Sequence, residues 1–131
     1  MNRIATHRVA LSALAAFAVC LALASPVKAD AGAAAQAEID HLLNFIAASP
    51  CMFIRNGEPH PAPEARDHLA GKYRYAKSQI ATAEEFVRLV ATESSTSGQP
   101  YRVRCGTAEL PAAVWLTEEL WRSRKASPPA K

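Results

Sequence analysis

The spacing of apolar residues changes period along this chain, and each change marks an element. Ile39, Leu42, Leu43 and Ile46 recur at helical spacing, Phe45 widens their face, and Glu38, Asp40 and Asn44 fall elsewhere, which predicts an amphipathic helix. Pro50 cannot continue it. From Cys51 the period becomes two, so that Cys51, Phe53 and Arg55 share one face of a strand and Met52 and Ile54 the other. Asn56-Gly57 is a turn signal, and Glu58-Pro-His-Pro-Ala-Pro63, with prolines at alternate places, reads as a stiff surface loop. A second helix is predicted over 63–78, with Ala65, Leu69, Tyr73 and Ala76 on one side and Gly71 inside it. Thr82-Ala-Glu-Glu85 has the spacing of a capping box, and the helix it opens would bury Phe86, Leu89 and Val90, with Val87 alongside. The polar run 92–98 ends that helix.

Strand alternation resumes at Tyr101-Arg-Val-Arg-Cys105, with Tyr101, Val103 and Cys105 on one face. If Cys51 faces Cys105 in an antiparallel pair, Phe53 falls opposite Val103 and Arg55 opposite Tyr101. A last helix starts near Leu110-Pro111 and carries Val114, Leu116, Leu120 and Trp121, with Trp115 extending its apolar surface. The expected fold is mainly α with a small β element (α+β): about four helices around a two-stranded antiparallel ribbon, with no internal repeat and no second domain.

The N-terminal segment changes the charge and cysteine counts. Arg3 and Arg8 precede an apolar run over 9–24, Ser25-Pro26 breaks it, and Val27-Lys28-Ala29 suits a signal peptidase, so 1–29 reads as a secretory signal peptide. The run is shorter than the ~20 residues a spanning helix needs, so no stable membrane anchor is expected after cleavage. The expected organisation is then a flexible leader over 30–37, one globular domain over 38–124 and a disordered tail over 125–131. Of the 15 basic residues, Arg3, Arg8 and Lys28 leave with the signal, while all 12 acids lie from Asp30 onward; the remaining 12 bases balance 12 acids. The pI near 8.9 therefore belongs to the precursor, and nothing in the charge supports nucleic-acid binding. Cleavage also removes Cys20 and leaves Cys51 and Cys105, which in an oxidising compartment pair by default. His41, His60 and His68 lack the close spacing of a metal set, and no metal or cofactor is expected.

Several of these segments together resemble the YfeK-like family, small exported proteins of Gram-negative bacteria classed as a domain of unknown function. The matching residues are Cys51-x-Phe53-x-Arg55-Asn56-Gly57, then Ala65-x-x-His68-Leu69-x-x-Lys72-Tyr73. Ser95-x-Ser97-Gly98-x-Pro100-Tyr101-x-Val103-x-Cys105 and Trp115-Leu116 follow in order. The resemblance covers about Glu38 to Arg124. It implies a periplasmic, disulfide-containing domain and brings no activity with it.

No catalytic signature is present. The candidate binding patch joins Arg55, Asn56 and Gly57, leaving one strand, to Ser97, Gly98 and Tyr101, entering the other, with Lys72 and Tyr73 turned toward the same region. A forked guanidinium, a phenol and exposed loop amides would suit a carboxylate-bearing ligand or a partner's peptide edge. Ser97-Gly-x-x-Tyr101 is also similar to the loop motif with which some periplasmic lysozyme inhibitors enter an enzyme cleft. The expected function is a non-catalytic ligand- or protein-binding module of the cell envelope, with a periplasmic protein or a cell-wall-derived ligand as partner. The alternatives are a small cell-envelope hydrolase, using Ser94, Ser95 or Ser97 with His68 as base, and a purely structural envelope protein.

Overall fold

Two short strands that place Phe53 opposite Val103 organise the fold. The computed structural model describes residues 31–128; the segment read as a signal peptide lies outside them. Helix α1 (Ala33–Ala48) leads into strand β1 (Met52–Arg55), strand β2 (Glu58–Pro61) and helix α2 (Ala62–Ala76). A 3-10 turn over Lys77–Gln79 precedes helix α3 (Ala83–Val90); strands β3 (Arg102–Cys105) and β4 (Ala108–Pro111) and helix α4 (Ala112–Ala126) complete the described residues. Because α1 begins at Ala33, most of the segment expected as a flexible leader is helical. Likewise α4 runs on to Ala126, past the expected start of the tail.

The class is as expected, mainly helical with a small antiparallel element, but the ribbon has four strands in the order β2-β1-β3-β4. The proline-rich stretch expected as a loop is β2, an edge strand in which Pro59 and Pro61 face Ile54 and Met52. Prolines two apart turn their missing N–H groups to the same side, here the open edge, where no ladder bond is lost. Asn56 (φ 51°) and Gly57 (φ 80°) both lie in the left-handed region and form the two-residue turn that matches strand twist. Gly106 (φ 62°) opens the equivalent turn between β3 and β4, and the last helix starts at Ala112, directly after a strand of four residues that sequence pattern did not reveal.

Topology repeats where sequence does not. Every boundary from β3 through α4 lies 50 residues after its counterpart from β1 through α2. Over that span Pro61/Pro111, Ala62/Ala112, Arg74/Arg124 and Ala76/Ala126 are the identical equivalents. The pseudo-twofold axis runs through the pair Phe53 and Val103, which are each other's counterparts. It exchanges the two ends of the central β1–β3 ladder. At one end Cys51 and Cys105 are joined, with Cα atoms 4.5 Å apart; at the other, continuing the register past Ile54 and Arg102, Arg55 faces Tyr101.

Helices α2 and α4 each lie on the hairpin that precedes them, while α1 and α3 pack against both. The core is Ile39, Leu42, Ile46, Ile80, Phe86, Val90, Val103, Leu116 and Leu120, all essentially inaccessible, around Phe53 and Leu69. Trp115 rests on Phe45 and Phe53. Three apolar assignments are corrected: Leu89, Val114 and Trp121 are exposed. On α4 the inward position is taken by Glu119, whose carboxylate meets His41 Nε2 at 2.7 Å and Arg122 at 2.9 Å. Arg124 ties α1 to α4 and α3 through Glu38 and Glu84. Its guanidinium keeps the Glu84 carboxyl below the usual range. Among the described residues no helix is long and apolar enough to cross a membrane.

The capping box is formed. Thr82 Oγ1 accepts from the Glu85 N–H at 3.1 Å, and the Glu85 carboxylate reaches back to the Ala81 N–H at 2.7 Å. Thr82→Ala is expected to cost about 1 kcal/mol in urea unfolding, and Thr82→Ser to recover most of it. An unchanged midpoint in the alanine variant would mean the cap does not hold α3.

Candidate functional site

The turn after β1 and the loop before β3 meet at the end of the ribbon away from the disulfide. The loop is closed on itself: the Ser94 N–H donates to the Gln99 carbonyl at 2.9 Å and the Gly98 N–H to the Ser94 carbonyl at 2.8 Å. Gly98 takes φ 71°, which glycine adopts without steric cost. Buried Ser94 presents its hydroxyl to Thr96 Oγ1 at 3.1 Å and accepts from the Ser97 N–H. Ser97 Oγ donates in turn to Asn56 Oδ1, which joins the loop to the β1–β2 turn. Tyr101 is fixed at the loop's exit, its N–H donating to the Thr92 carbonyl and its carbonyl accepting from Ala112, both at 2.9 Å.

Helix α2 supplies the third wall. His68 and Lys72 are one turn apart and point at Tyr101 from the same face. Lys72 Nζ donates to the Glu93 carbonyl at 2.8 Å and to Tyr101 Oη at 3.1 Å, and lies 4.8 Å from the ring centroid. His68 Nε2 lies 3.1 Å from the same hydroxyl. Burial first, then the charges of Arg55 and Lys72, holds the His68 imidazole below its usual range. Neutral imidazole can thus accept from the tyrosine O–H, while that oxygen accepts from Lys72. Burial also lowers the Lys72 ammonium, opposed by Glu93, and raises the Tyr101 phenol, opposed by Arg55.

These residues enclose a groove of about 200 Å³ lined by Arg55, Asn56, His68, Lys72, Tyr101 and the loop residues 94–96. No carboxylate lines it. The Arg55 side chain makes no hydrogen bond or ion pair among the described residues, so its forked donors remain available to a ligand. Beneath it, Arg55, His60, His68 and Tyr101 border a small apolar recess floored by Phe53, Leu69 and Leu116.

Of the sequence-identified patch, Arg55, Asn56, Lys72 and Tyr101 line the groove, and Ser97 braces it from outside. Gly57 and Gly98 contribute as turn formers. Tyr73 is elsewhere: it sits in the core, its ring edge-on to Phe86 and its hydroxyl donating to Gln36 at 2.8 Å. Lys72 and Tyr73 are adjacent on a helix and so point in different directions, as helical geometry requires. His68, Ser95 and Thr96 complete the wall; the four-residue spacing of His68 and Lys72 was the available signal for the first. None of Ser94, Ser95 and Ser97 hydrogen-bonds His68 among the described residues, so no serine–histidine pair is assembled. Tyr101 is 6% exposed and cannot project into another protein's cleft, which removes the likeness to the inhibitor loop. Among the described residues no group of three or more His, Cys, Asp and Glu is placed to hold a metal.

Comparison with known proteins adds kinship. Uncharacterized protein YfeK of Salmonella typhimurium is 39% identical over 84 residues, spanning 63% of this chain and 70% of that protein. No solved structure matches. The model of a family described as "Family of unknown function (DUF5329)" matches residues 33–124, nearly all that the structure describes. The chain belongs to that family of unknown function, and YfeK is a relative within reach of the resemblance its motifs suggested.

Proposed function

We propose that the chain is exported, loses residues 1–29, and acts in the periplasm as a non-catalytic module that binds a carboxylate-bearing ligand or protein segment in the groove at Arg55. One observation carries the binding reading: Arg55, His68 and Lys72 converge on a groove that contains hydroxyls and no carboxylate. The charges of Arg55 and Lys72 beside neutral His68 are a poor arrangement for the empty protein and a good one for an anion, because an incoming carboxylate offsets their repulsion and accepts charge-assisted hydrogen bonds. The joined cysteines support export, since such bonds persist in oxidising compartments.

Native mass spectrometry of protein purified from the periplasm tests both halves. A chain beginning at Asp30, with a bound small acid or partner segment, is the expected species. Arg55→Ala should weaken binding of that species by about 10- to 100-fold, the loss typical of a charge-assisted contact, with unfolding unchanged. Undiminished binding in Arg55→Ala would remove the groove from the function, and a chain retaining residues 1–29 would remove the export.

A further inference from the structure

The cationic groove does not stop at Lys72. On the other side of that side chain lies a second hollow of about 310 Å³, lined by Gly71, Lys72, Tyr75, Ala76, Leu89, Val90 and Ser95. Lys72 and Ser95 belong to both hollows, so the two adjoin: the first lies between α2, the β1–β2 turn and the loop before β3, the second between α2 and α3. Their characters differ. The first is basic and hydroxyl-rich; apart from Lys72 and Ser95 the second is walled by aliphatic side chains, an aromatic ring and bare backbone.

Two features of the second hollow lack an internal purpose. Tyr75 is 95% exposed and Leu89 is 39% exposed, although both flank an apolar surface. Gly71 stands inside α2, where it destabilises a helix relative to alanine. Yet a Cβ there would approach only Arg74 Nη2, at 3.7 Å, so packing within the protein does not demand glycine. Exposed Ser95 places a hydroxyl at the junction of the hollows. Lys72 has three ammonium donors and spends two, on Glu93 and Tyr101, which leaves the third for a ligand.

Together these describe a ligand, and we propose that it is the C-terminal end of a peptide whose last side chain is apolar. This rests on the carboxylate reading of the groove and adds its second half. The terminal carboxylate pairs with Arg55 and the free donor of Lys72. The last side chain turns across Lys72 onto the Gly71 backbone between Tyr75 and Leu89. Ser95, at the junction, meets the amide that links the two. Charge complementarity selects the carboxylate, the Ser95 hydroxyl at the junction can meet an adjacent amide, and the two hollows, about 200 and 310 Å³, together fall within the range of known ligand sites, about 300–1,000 Å³.

The test uses four probes on the oxidised protein, followed by titration calorimetry: acetyl-Ala-Ala-Phe as the free acid, the same peptide as its C-terminal amide, acetyl-Ala-Ala-Gly acid, and laurate. The Phe acid should bind at least about tenfold more tightly than its amide and than the Gly acid. Gly71→Leu, which fills the second hollow, should remove the advantage of the Phe acid while leaving the Gly acid unchanged; Leu89→Ser should reduce that advantage without filling anything. Arg55→Ala should weaken both acids. If both acids bind equally and depend on Arg55, the second half of the site is wrong and the carboxylate reading stands. If neither acid binds, both readings fall. Laurate binding more tightly than the Phe acid would overturn the peptide in favour of a lipid.

Discussion

Replacing both Cys51 and Cys105 by serine is expected to destabilise the protein by about 4 kcal/mol. The bond closes a loop of sequence separation 54, and the chain-entropy relation assigns roughly 4 kcal/mol to such a loop. A domain of this size has a net stability of only ~5–15 kcal/mol, and Tm should fall by roughly 15–30 °C. The structure adds a reason for the effect to be global. The bond joins the first residue before β1 to the last of β3, so it clamps two hairpin–helix units whose shared ladder is only three residue pairs long. Urea unfolding of wild type with and without reductant should reproduce the serine variant. Equal midpoints for oxidised and reduced protein would show that the ladder and helices hold the two units together unaided. The groove makes a second readout. It occupies the opposite end of the ladder and is held separately through the Tyr101 backbone, so the variant should bind the groove's ligands normally while it remains folded.

The same geometry explains what was legible in the sequence. Cys51, Phe53 and Arg55 alternate with Met52 and Ile54, and Tyr101, Val103 and Cys105 do likewise, so a single assumption (that the cysteines face each other) sets the whole central register. That register brings Arg55 beside Tyr101, and most of the candidate groove follows from it. The outer strands were hidden for a physical reason. A proline every second residue argues against a central strand, yet on an edge it removes only donors that face solvent, and Glu58-Pro-His-Pro61 is an edge. Ala108-Glu-Leu-Pro111 has the same role with little β-forming side chain to show for it. The repeated topology was invisible because the two units share so few identical residues; what they share is a two-residue turn flanked by four-residue strands. Tyr73 leaves the groove although it adjoins Lys72 in sequence, because α2 turns by about 100° between them.

Phe86→Ala is the second large effect, expected at about 3–5 kcal/mol. Phe86 is the largest wholly inaccessible side chain, set edge-on to Tyr73 with ring centroids 5.6 Å apart. It stands on α3, a helix of 8 residues, far below the length that is stable alone. The capping box supplies about 1 kcal/mol of its support, so most must come from the face it buries, which is Ala83, Phe86, Val87 and Val90. Truncating Phe86 leaves a cavity bordered by α2 that the short helix must collapse into or leave open, and either course loosens Tyr73. Leu89 on the same helix provides the comparison. Helical periodicity alone assigns it to the core, yet it is open to solvent beside Tyr75. Leu89→Ala should therefore cost less than about 1 kcal/mol in urea unfolding, while weakening any ligand that reaches the apolar hollow. The two variants separate the roles of the two faces of α3: one face holds the fold and the other is left for a partner. Equal losses of stability in Phe86→Ala and Leu89→Ala would put Leu89 in the core after all. They would also take away the wall of the hollow on which the peptide proposal depends.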